Sequence, residues 1–268
     1  MKKLNLIFFV FILFCGCITN PLTGKNTMAF IDNSQLFPMA FAQYAEFLNE
    51  NTVITGTSEA NMVSRVGTRL ADAAQKWLEA EGHSSYLNNY RWEYKLVQDK
   101  AINAWCMPGG KIVVYTGILP VTETEVGLAV VLGHEIAHAL LNHGQQRVSA
   151  GILQQIGAIG VSLLLMNQSE DAQVLSMAAY SVGSSLLGTL PFSRDNESEA
   201  DHYGLILMAI AGYNPDEAVP FWERMAANGG GGSIEFLSTH PSSNTRINQL
   251  RRWTPEAKEK ALAFGVRY

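Results

Sequence analysis

The sequence predicts an α+β domain, mostly helical, in which a small sheet of about three strands lies beside one central helix. Three observations predict this class. Apolar residues recur at helical spacing in several long stretches. Short segments between residues 91 and 116 alternate in polarity or flank a Pro-Gly-Gly turn, as strands do. A strongly apolar stretch that begins at Val126 carries two histidines four residues apart, a spacing that places both on one face of a helix.

The N-terminal residues predict a lipoprotein signal peptide. A basic start is followed by a run of about 11 apolar residues, well short of the ~20 that a membrane-spanning helix needs. Gly16-Cys17 after this run resembles a bacterial lipobox, so Cys17 is the expected lipidation site, with an uncleaved anchor as the alternative. We therefore divide the chain into a signal peptide (1–16), an N-terminal tether (17–32) and a single domain (33–268).

Charge and cysteine content exclude two classes of protein. The formal net charge of the chain is −5, and removal of the two lysines of the signal peptide brings it to −7. An acidic chain argues against nucleic acid as a partner. Without the signal peptide and with Cys17 lipidated, Cys106 is the remaining thiol, so no structural disulfide is expected. We expect Cys106 to be a packed strand residue.

Five elements are expected before the two histidines. The second of them has Val63, Val66 and Leu70 at helical spacing. The expected elements are helices over residues 33–50 and 58–81 and strands over residues 91–98, 102–107 and 111–116.

The two histidines belong to an HExxH motif, His134-Glu135-Ile136-Ala137-His138. Four residues make nearly one helical turn, so His134 and His138 can share a metal ion. Glu135 is rotated away from this pair and can reach a water molecule beside the metal. The pattern predicts a zinc peptidase site with two histidine ligands and a glutamate as the general base. A chance spacing of two histidines is the alternative.

The bounds of the motif helix follow from its caps. Thr122 and Glu125 form the pattern of a capping box, and Gly144 is a candidate C-terminal stop. His143 follows His138 by five residues and falls on a different face. We expect His143 to be a solvated histidine at the end of the helix.

A third zinc ligand is expected from a second helix, which begins near Asn196 and stops at Gly212. Glu197 and Asp201 are four residues apart and share a face of this helix. Glu197 is the candidate ligand, and Asp201 is the candidate acceptor for the free ring N–H of a ligand histidine. An acidic first turn favoured by the helix dipole is the alternative, and it is the interpretation that we prefer for Glu199.

The remaining segments are expected to be helical. Residues 152–166 and 174–187 predict a buried helical hairpin, with a monotopic membrane contact as the alternative. Asn214 with the following proline opens another helix. Four glycines at 229–232 predict a flexible loop, and Thr254 is the expected start of a last short helix.

Together these motifs resemble the gluzincin family of zinc metallopeptidases that includes the HtpX membrane protease and the CAAX prenyl protease. A stretch that begins Asn20-Pro21 resembles the start of the short bacterial lipoprotein members of that family. The other matching motifs occur in family order: Asn103-Ala104-Trp105, Pro108-Gly109-Gly110, His134-Glu135-x-x-His138, Glu197-x-x-Ala200-Asp201, Ser238-Thr239-His240-Pro241 and Arg246-Ile247.

The resemblance implies a zincin-like metallopeptidase domain that holds one Zn²⁺ per chain. It also implies an edge strand that binds extended substrate, to which Asn103, Ala104 and Trp105 are expected to contribute; a purely structural role in the sheet is the alternative. His240 is a candidate catalytic residue that donates a hydrogen bond to the oxyanion. His240 as a zinc ligand of a resting state, or as a solvated loop residue, are the alternatives. Arg246 is expected to form a salt bridge with a neighbouring acid.

These expectations define a zinc endopeptidase of the bacterial cell envelope. Ile18 after the lipidated cysteine favours the outer membrane, with the domain facing the periplasm. Misfolded or unassembled envelope proteins are the expected substrates, and the outer-membrane assembly machinery is a candidate partner. The alternative is a periplasmic chaperone or assembly factor with a latent or closed zinc site. A membrane-spanning protease is disfavoured by the short segments of the predicted hairpin.

Overall fold

The computed structural model describes residues 16–166, 169, 174, 193–228, 235–240 and 244–268. The α+β class is confirmed, with helices dominant and small sheets beside them. The strands are β1 (Cys17–Thr19), β2 (Asn26–Met28), β3 (Val53–Ile54), β4 (Glu93–Val97), β5 (Ala104–Met107) and β6 (Lys111–Tyr115). The helices are α1 (Asn33–Glu50), α2 (Ser58–Ala80), α3 (Leu119–Thr122), α4 (Glu125–Leu140), α5 (His143–Leu165), α6 (Arg194–Ile210), α7 (Ala218–Asn228), α8 (Glu235–Thr239) and α9 (Asn244–Leu262).

The main sheet has four strands in the order β3-β4-β6-β5. β4 and β6 run parallel, and the two outer strands pair antiparallel. The three expected strands are present, and the fourth is β3, which is too short to show a periodic pattern. β5 forms one edge of this sheet, next to the motif helix α4.

Helix α4 lies at the centre of the core. Fourteen of its residues are buried, because it is apolar on all sides and packs between α2, α6 and the sheet. Its predicted start is wrong: Thr124 caps the helix by accepting a hydrogen bond from the backbone N–H of Gly127, while Thr122 belongs to α3. The backbone of Asn142 is left-handed, with φ of 57°, and α5 begins at the next residue, His143. Gly144 therefore lies inside α5, and the predicted stop is also wrong.

The segment expected to be a tether packs against the domain. β1 and β2 form an antiparallel hairpin, and its turn reaches both ligand-bearing helices. Asn20 is buried and donates its side-chain N–H to the carbonyl of Leu140, 2.8 Å away, at the end of α4. Tyr203 of α6 donates its hydroxyl to the carbonyl of Leu22. Residues 17–32 are thus tied to the helices that carry the site.

Helix α5 departs from the predicted buried hairpin. Its apolar residues Ile156, Ile159 and Leu163 are exposed, so the burial expected for the first half of the hairpin is wrong. Most of the predicted second half lies outside the described residues. Within the described part of the chain, no single helix has the length and apolarity to cross a membrane, although the bent pair Thr116–Thr122 and Glu125–Leu140 meets that test by length and composition.

The C-terminal region confirms one predicted helix start and corrects another. Asn214 caps a 3₁₀ turn that leads into α7, as expected. α9 begins at Asn244, ten residues before the predicted start at Thr254, and continues through Pro255. Its buried residues Leu250 and Ala257 pack in the core, and this tertiary packing outweighs the helix-breaking tendency of the proline. The loop predicted at 229–232 lies outside the described residues.

Candidate metal centre

Two glycines allow the helices that carry the predicted ligands to touch. Gly133 of α4 and Gly204 of α6 meet where the helices cross. A Cβ atom added to Gly204 would lie 2.9 Å from the carbonyl carbon and oxygen of Gly133 and 2.9 Å from the backbone nitrogen of His134. Since any side chain there would push the backbones apart, the two glycines bring the carboxylates of α6 within reach of the histidines of α4.

Four buried side chains converge at this crossing: His134, His138, Glu197 and His240. One ligand atom from each lies within 4.8 Å of all the others. His134 Nε2 is 3.0 Å from His138 Nε2 and 3.1 Å from His240 Nδ1. Glu197 Oε1 is 2.9 Å from His240 Nδ1 and 3.3 Å from His138 Nε2.

These distances fit a zinc ion. Zinc sites are tetrahedral, with bonds to nitrogen and oxygen of about 2.0–2.2 Å, so their ligand atoms are roughly 3.3 Å apart. Imidazole and carboxylate groups are donors that suit zinc. Because three ring nitrogens and one carboxylate oxygen face one point with that spacing, His134, His138, Glu197 and His240 can hold the ion.

The second ring nitrogen of His134 is held by a carboxylate. His134 Nδ1 donates to Asp201 Oδ1 at 2.9 Å, the arrangement that the sequence predicted for Asp201. The guanidinium of Arg246 donates from Nε to the other oxygen of Asp201 and from Nη2 to Glu197. It also donates to the carbonyl of His240 and lies 3.9 Å from the ring centre of Trp222. The expected salt bridge of Arg246 is present, and it is buried.

His143 lies beside the site, and the expectation that it is solvated is wrong. Its side chain is fully buried, and its Nδ1 lies 2.9 Å from Nδ1 of His138. Nε2 of the same ring is 3.3 Å from Glu199 Oε2, and Lys25 pairs with the other oxygen of that carboxylate. The left-handed turn at Asn142 causes this, since it directs α5 back towards His138. A single-helix projection of the sequence cannot show such a turn.

Glu135 points its carboxylate into the site without a hydrogen bond to Oε1 from the described part of the chain. This oxygen is buried and lies 3.5 Å from His240 Nε2. Burial raises the pKa of the Glu135 carboxyl above its ordinary value. A buried acceptor that has no hydrogen bond within the described part of the chain, next to a set of metal ligands, fits a group that binds a water molecule there.

All the candidate ligands are buried, but the pKa values of Glu197, His138 and His134 shift for different reasons. Burial opposes the charged form of Glu197, but hydrogen bonds from the three surrounding histidines outweigh it and lower the pKa of its carboxyl. Burial lowers the pKa of His138. It acts in the same direction on His134, where the carboxylates of Asp201 and Glu197 overcome it and raise the pKa to about 9.

The residues expected to bind substrate lie on and beside the edge strand β5. The side chains of two of them, Asn103 and Trp105, make contacts within the protein. Asn103 is buried and donates its side-chain N–H to Glu235, at the start of α8, 3.0 Å away. Ala104 is buried in the sheet. Trp105 packs edge-on against Phe47 of α1, with ring centres 5.0 Å apart. The structure places these residues next to the site but uses Asn103 and Trp105 for internal contacts.

An open depression lies between β5, α1 and the start of α5. A small cavity lined by His138, Cys106 and Pro108 adjoins it. The depression itself has a volume of about 520 Å³. Its lining is mostly apolar, with one cation and one amide: Leu36, Met39, Ala40, Gln43, Cys106, Met107, Pro108, Gly144, Arg147 and Val148.

An HExxH helix joined by a glutamate of a second helix defines a zinc metallopeptidase site of the gluzincin type. Residues 58–254 match the profile of peptidase family M48, and the chain belongs to this family. It is 39% identical to the mitochondrial metalloendopeptidase OMA1 of Schizosaccharomyces pombe over 178 residues, 66% of this chain and 50% of that protein. It is 33% identical to OMA1 of Saccharomyces cerevisiae over 208 residues, 74% of this chain and 56% of that protein.

One bacterial relative is named for its role in β-barrel assembly. The β-barrel assembly-enhancing protease of Yersinia pestis is 29% identical over 185 residues, 66% of this chain and 37% of that protein. The chain thus spans about half the length of the first two relatives and less of the third. These comparisons confirm a zinc metallopeptidase of the gluzincin type. The likeness to the HtpX and CAAX prenyl protease members and to the short lipoprotein members stays a prediction.

Proposed function

We propose that this protein is a zinc-dependent endopeptidase with one Zn²⁺ per chain, and that its ligands are His134, His138 and Glu197. One observation carries the proposal: these three side chains converge in a buried site beside the Glu135 carboxylate, whose Oε1 has no hydrogen bond from the described residues. A site with a purely structural zinc has no use for such a base. Membership of family M48 and the names of the relatives support the same activity.

The side chains divide the work of peptide hydrolysis. Zinc, when bound, polarises a carbonyl group and acidifies water. Glu135 acts as general base: it takes a proton from the attacking water and returns it to the leaving amine. Asp201 holds the ring of His134 through its Nδ1 proton, which keeps Nε2 directed at the metal position. Arg246 donates to both Glu197 and Asp201 and so compensates part of their negative charge in a buried place.

His240 supplies the fourth ligand of a resting state in this proposal. Its Nδ1 lies among the other ligand atoms, 2.9 Å from Glu197 Oε1, where a catalytic zinc site keeps an open position. Activity then requires that His240 withdraws from this position. We propose that His240, once withdrawn, serves as the donor to the oxyanion that the sequence suggested.

Substrate is proposed to enter as an extended chain along β5. The apolar depression beside Cys106 and Met107 adjoins a small cavity that is lined by His138, and it suits apolar side chains of such a chain. Exposed apolar segments are characteristic of unfolded proteins. We therefore propose misfolded or unassembled envelope proteins as substrates.

Attachment to the cell envelope is proposed through Cys17. This residue is exposed at the start of β1, and the sequence before it has the features of a lipoprotein signal. The likeness to a β-barrel assembly-enhancing protease supports a place near the outer membrane and its assembly machinery. In fractionated cells, Cys17→Ser should move the protein from the outer-membrane to the soluble fraction; an unchanged distribution would exclude the lipid anchor.

Casein cleavage by the zinc-loaded domain tests the enzymatic activity. The wild type should cleave casein, 1,10-phenanthroline should stop cleavage, and added zinc should restore it. Glu135→Gln should keep the metal and lose cleavage by a factor of 100 or more, on the order of a general-base effect. Equal cleavage by wild type and Glu135→Gln would contradict the proposal.

The second candidate function is a chaperone or assembly factor with a latent zinc site, and the position of His240 favours it. If the wild type binds zinc but does not cleave casein, His240→Ala separates the two functions. A gain of cleavage in His240→Ala supports a self-inhibited peptidase. Suppression of substrate aggregation by a zinc-loaded His240→Ala that still lacks cleavage supports the chaperone.

A further inference from the structure

The outer ring nitrogen of His138 is bound by another histidine, whereas that of His134 is bound by a carboxylate. His138 Nε2 faces the metal position, and its Nδ1 lies 2.9 Å from His143 Nδ1. A neutral imidazole that offers Nε2 to a metal carries its single proton on Nδ1. His138 must therefore donate in this bond, and His143 Nδ1 must accept.

This role determines the tautomer of His143 as well. A neutral ring that accepts at Nδ1 carries its proton on Nε2, and this nitrogen lies 3.3 Å from Glu199 Oε2. The other oxygen of Glu199 accepts from the ammonium of Lys25. Each donor from His138 outwards therefore meets an acceptor, and opposite charges end the chain at the surface.

We infer that His143 is a positioning residue of the metal centre, which fixes the ring orientation and the tautomer of His138 and is itself held by Glu199. The inference rests on the proposed function, because it takes His138 as a zinc ligand. The side chain of His143 is completely buried and packs against the ring of His138, with ring centres 4.9 Å apart. This contact leaves His138 little freedom to turn.

Zinc affinity, measured on the full chain by competition with a chelator, tests the inference. His143→Phe keeps a ring of similar size but removes the acceptor, so we expect zinc to bind about 10–100-fold more weakly. His143→Gln supplies an acceptor and a donor separated by nearly the same distance as the two ring nitrogens, and it should restore most of the affinity. The visible spectrum of the Co²⁺-loaded protein should change with Phe and return towards wild type with Gln.

A matched control is available on α6. His202 also binds a carboxylate, Glu256, at 2.9 Å, but it lies away from the metal position and stacks on Trp253. His202→Phe should leave the zinc affinity unchanged. Thermal unfolding of each variant after chelation separates loss of folding from loss of positioning. If His143→Phe does not fold, Glu199→Leu replaces it, because this variant leaves the donor of His143 without its acceptor and should weaken zinc binding about tenfold.

The experiment distinguishes failure of the inference about His143 from failure of the proposed function. Wild-type zinc affinity in folded His143→Phe, or in Glu199→Leu where it replaces that variant, would overturn the inference. A loss that His143→Gln does not restore, with all variants equally stable after chelation, would overturn it too. A wild-type protein that binds no zinc would instead overturn the proposed function.

Discussion

The two histidines of the HExxH motif are supported in different ways. His134 rests on Asp201, which is bound to the buried guanidinium of Arg246. We call this the carboxylate side, and every member of it is at most 4% exposed. His138 rests on His143, Glu199 and Lys25. We call this the imidazole side, and its exposed fraction rises from zero at His143 to 65% at Lys25.

The difference shows two solutions to one problem. A histidine that binds a metal needs a fixed tautomer. Either a buried carboxylate or a neutral imidazole that accepts its N–H can provide this. On the carboxylate side the charges must balance within the core, so the removal of one leaves another uncompensated. On the imidazole side the charges of Glu199 and Lys25 lie nearer water, so the loss of either should cost less than the loss of a buried charge. The carboxylate side is thus the more sensitive to substitution.

The largest effect is expected from Arg246→Met. This change leaves Glu197 and Asp201 together in the core without their cation, which should lower the free energy of unfolding by about 3–5 kcal/mol. Urea denaturation of the chelated protein measures it. Arg251→Met, on the same helix, is the control because its pair with Glu223 is exposed, and its effect should stay below about 1 kcal/mol. Equal effects of the two variants would remove the distinction between buried and exposed charge.

Gly204→Ala should disturb both sides at once. The added methyl group meets the backbone of Gly133 at 2.9 Å, so the ligand helices must separate. We expect a loss of about 1–3 kcal/mol in the free energy of unfolding, together with weaker zinc binding. Gly160→Ala is the control, because no atom of the described residues lies within 4 Å of its Cβ position in α5. A neutral Gly204→Ala would show that the close crossing is not required.

Asp201→Asn should weaken zinc binding about 10–100-fold. The amide oxygen still accepts from His134, but the amide nitrogen then faces the guanidinium of Arg246, which also donates. Chelator competition measures the affinity. Asp216→Asn, whose partner Lys258 is at the surface, should have no effect on it. Unchanged zinc affinity in Asp201→Asn would mean that His134 needs no charged support.

The smallest effect is expected from Lys25→Met. The ammonium is 65% exposed, so its pair with Glu199 should contribute less than about 1 kcal/mol and change zinc affinity less than threefold. Chelator competition and thermal unfolding measure the two quantities. A tenfold loss of zinc affinity would show that the N-terminal hairpin is part of the metal centre. It would contradict the expectation that the effect of a substitution falls as exposure rises from His143 to Lys25.

The carboxylate side was the more predictable from sequence. His134 belongs to the HExxH motif, and Asp201 lies four residues, about one helical turn, after the candidate ligand Glu197; a helix preserves such spacings wherever it lies. The helix around the motif and the acidic segment could therefore be recognised before their contact was known. The metallopeptidase family could be recognised from the same residues, because few other arrangements need all of them.

The imidazole side was not predictable, because tertiary contacts create it. His143 reaches His138 only through the left-handed turn at Asn142, and a helical projection treats the two residues as members of one helix. Lys25 is far from Glu199 in sequence and meets it through the hairpin turn. Likewise, α9 begins at Asn244 because its buried face packs in the core. The sequence predicted a later start because a proline at position 255 usually marks the beginning of a helix.

The central claim, one zinc held by the four converging side chains at rest, is tested most directly by zinc-edge X-ray absorption. The zinc-loaded wild type should show four ligands at about 2.0–2.2 Å, including three imidazoles, and His240→Ala should show two imidazoles. An unchanged imidazole count in His240→Ala, or a wild-type zinc surrounded mainly by water, would contradict the account.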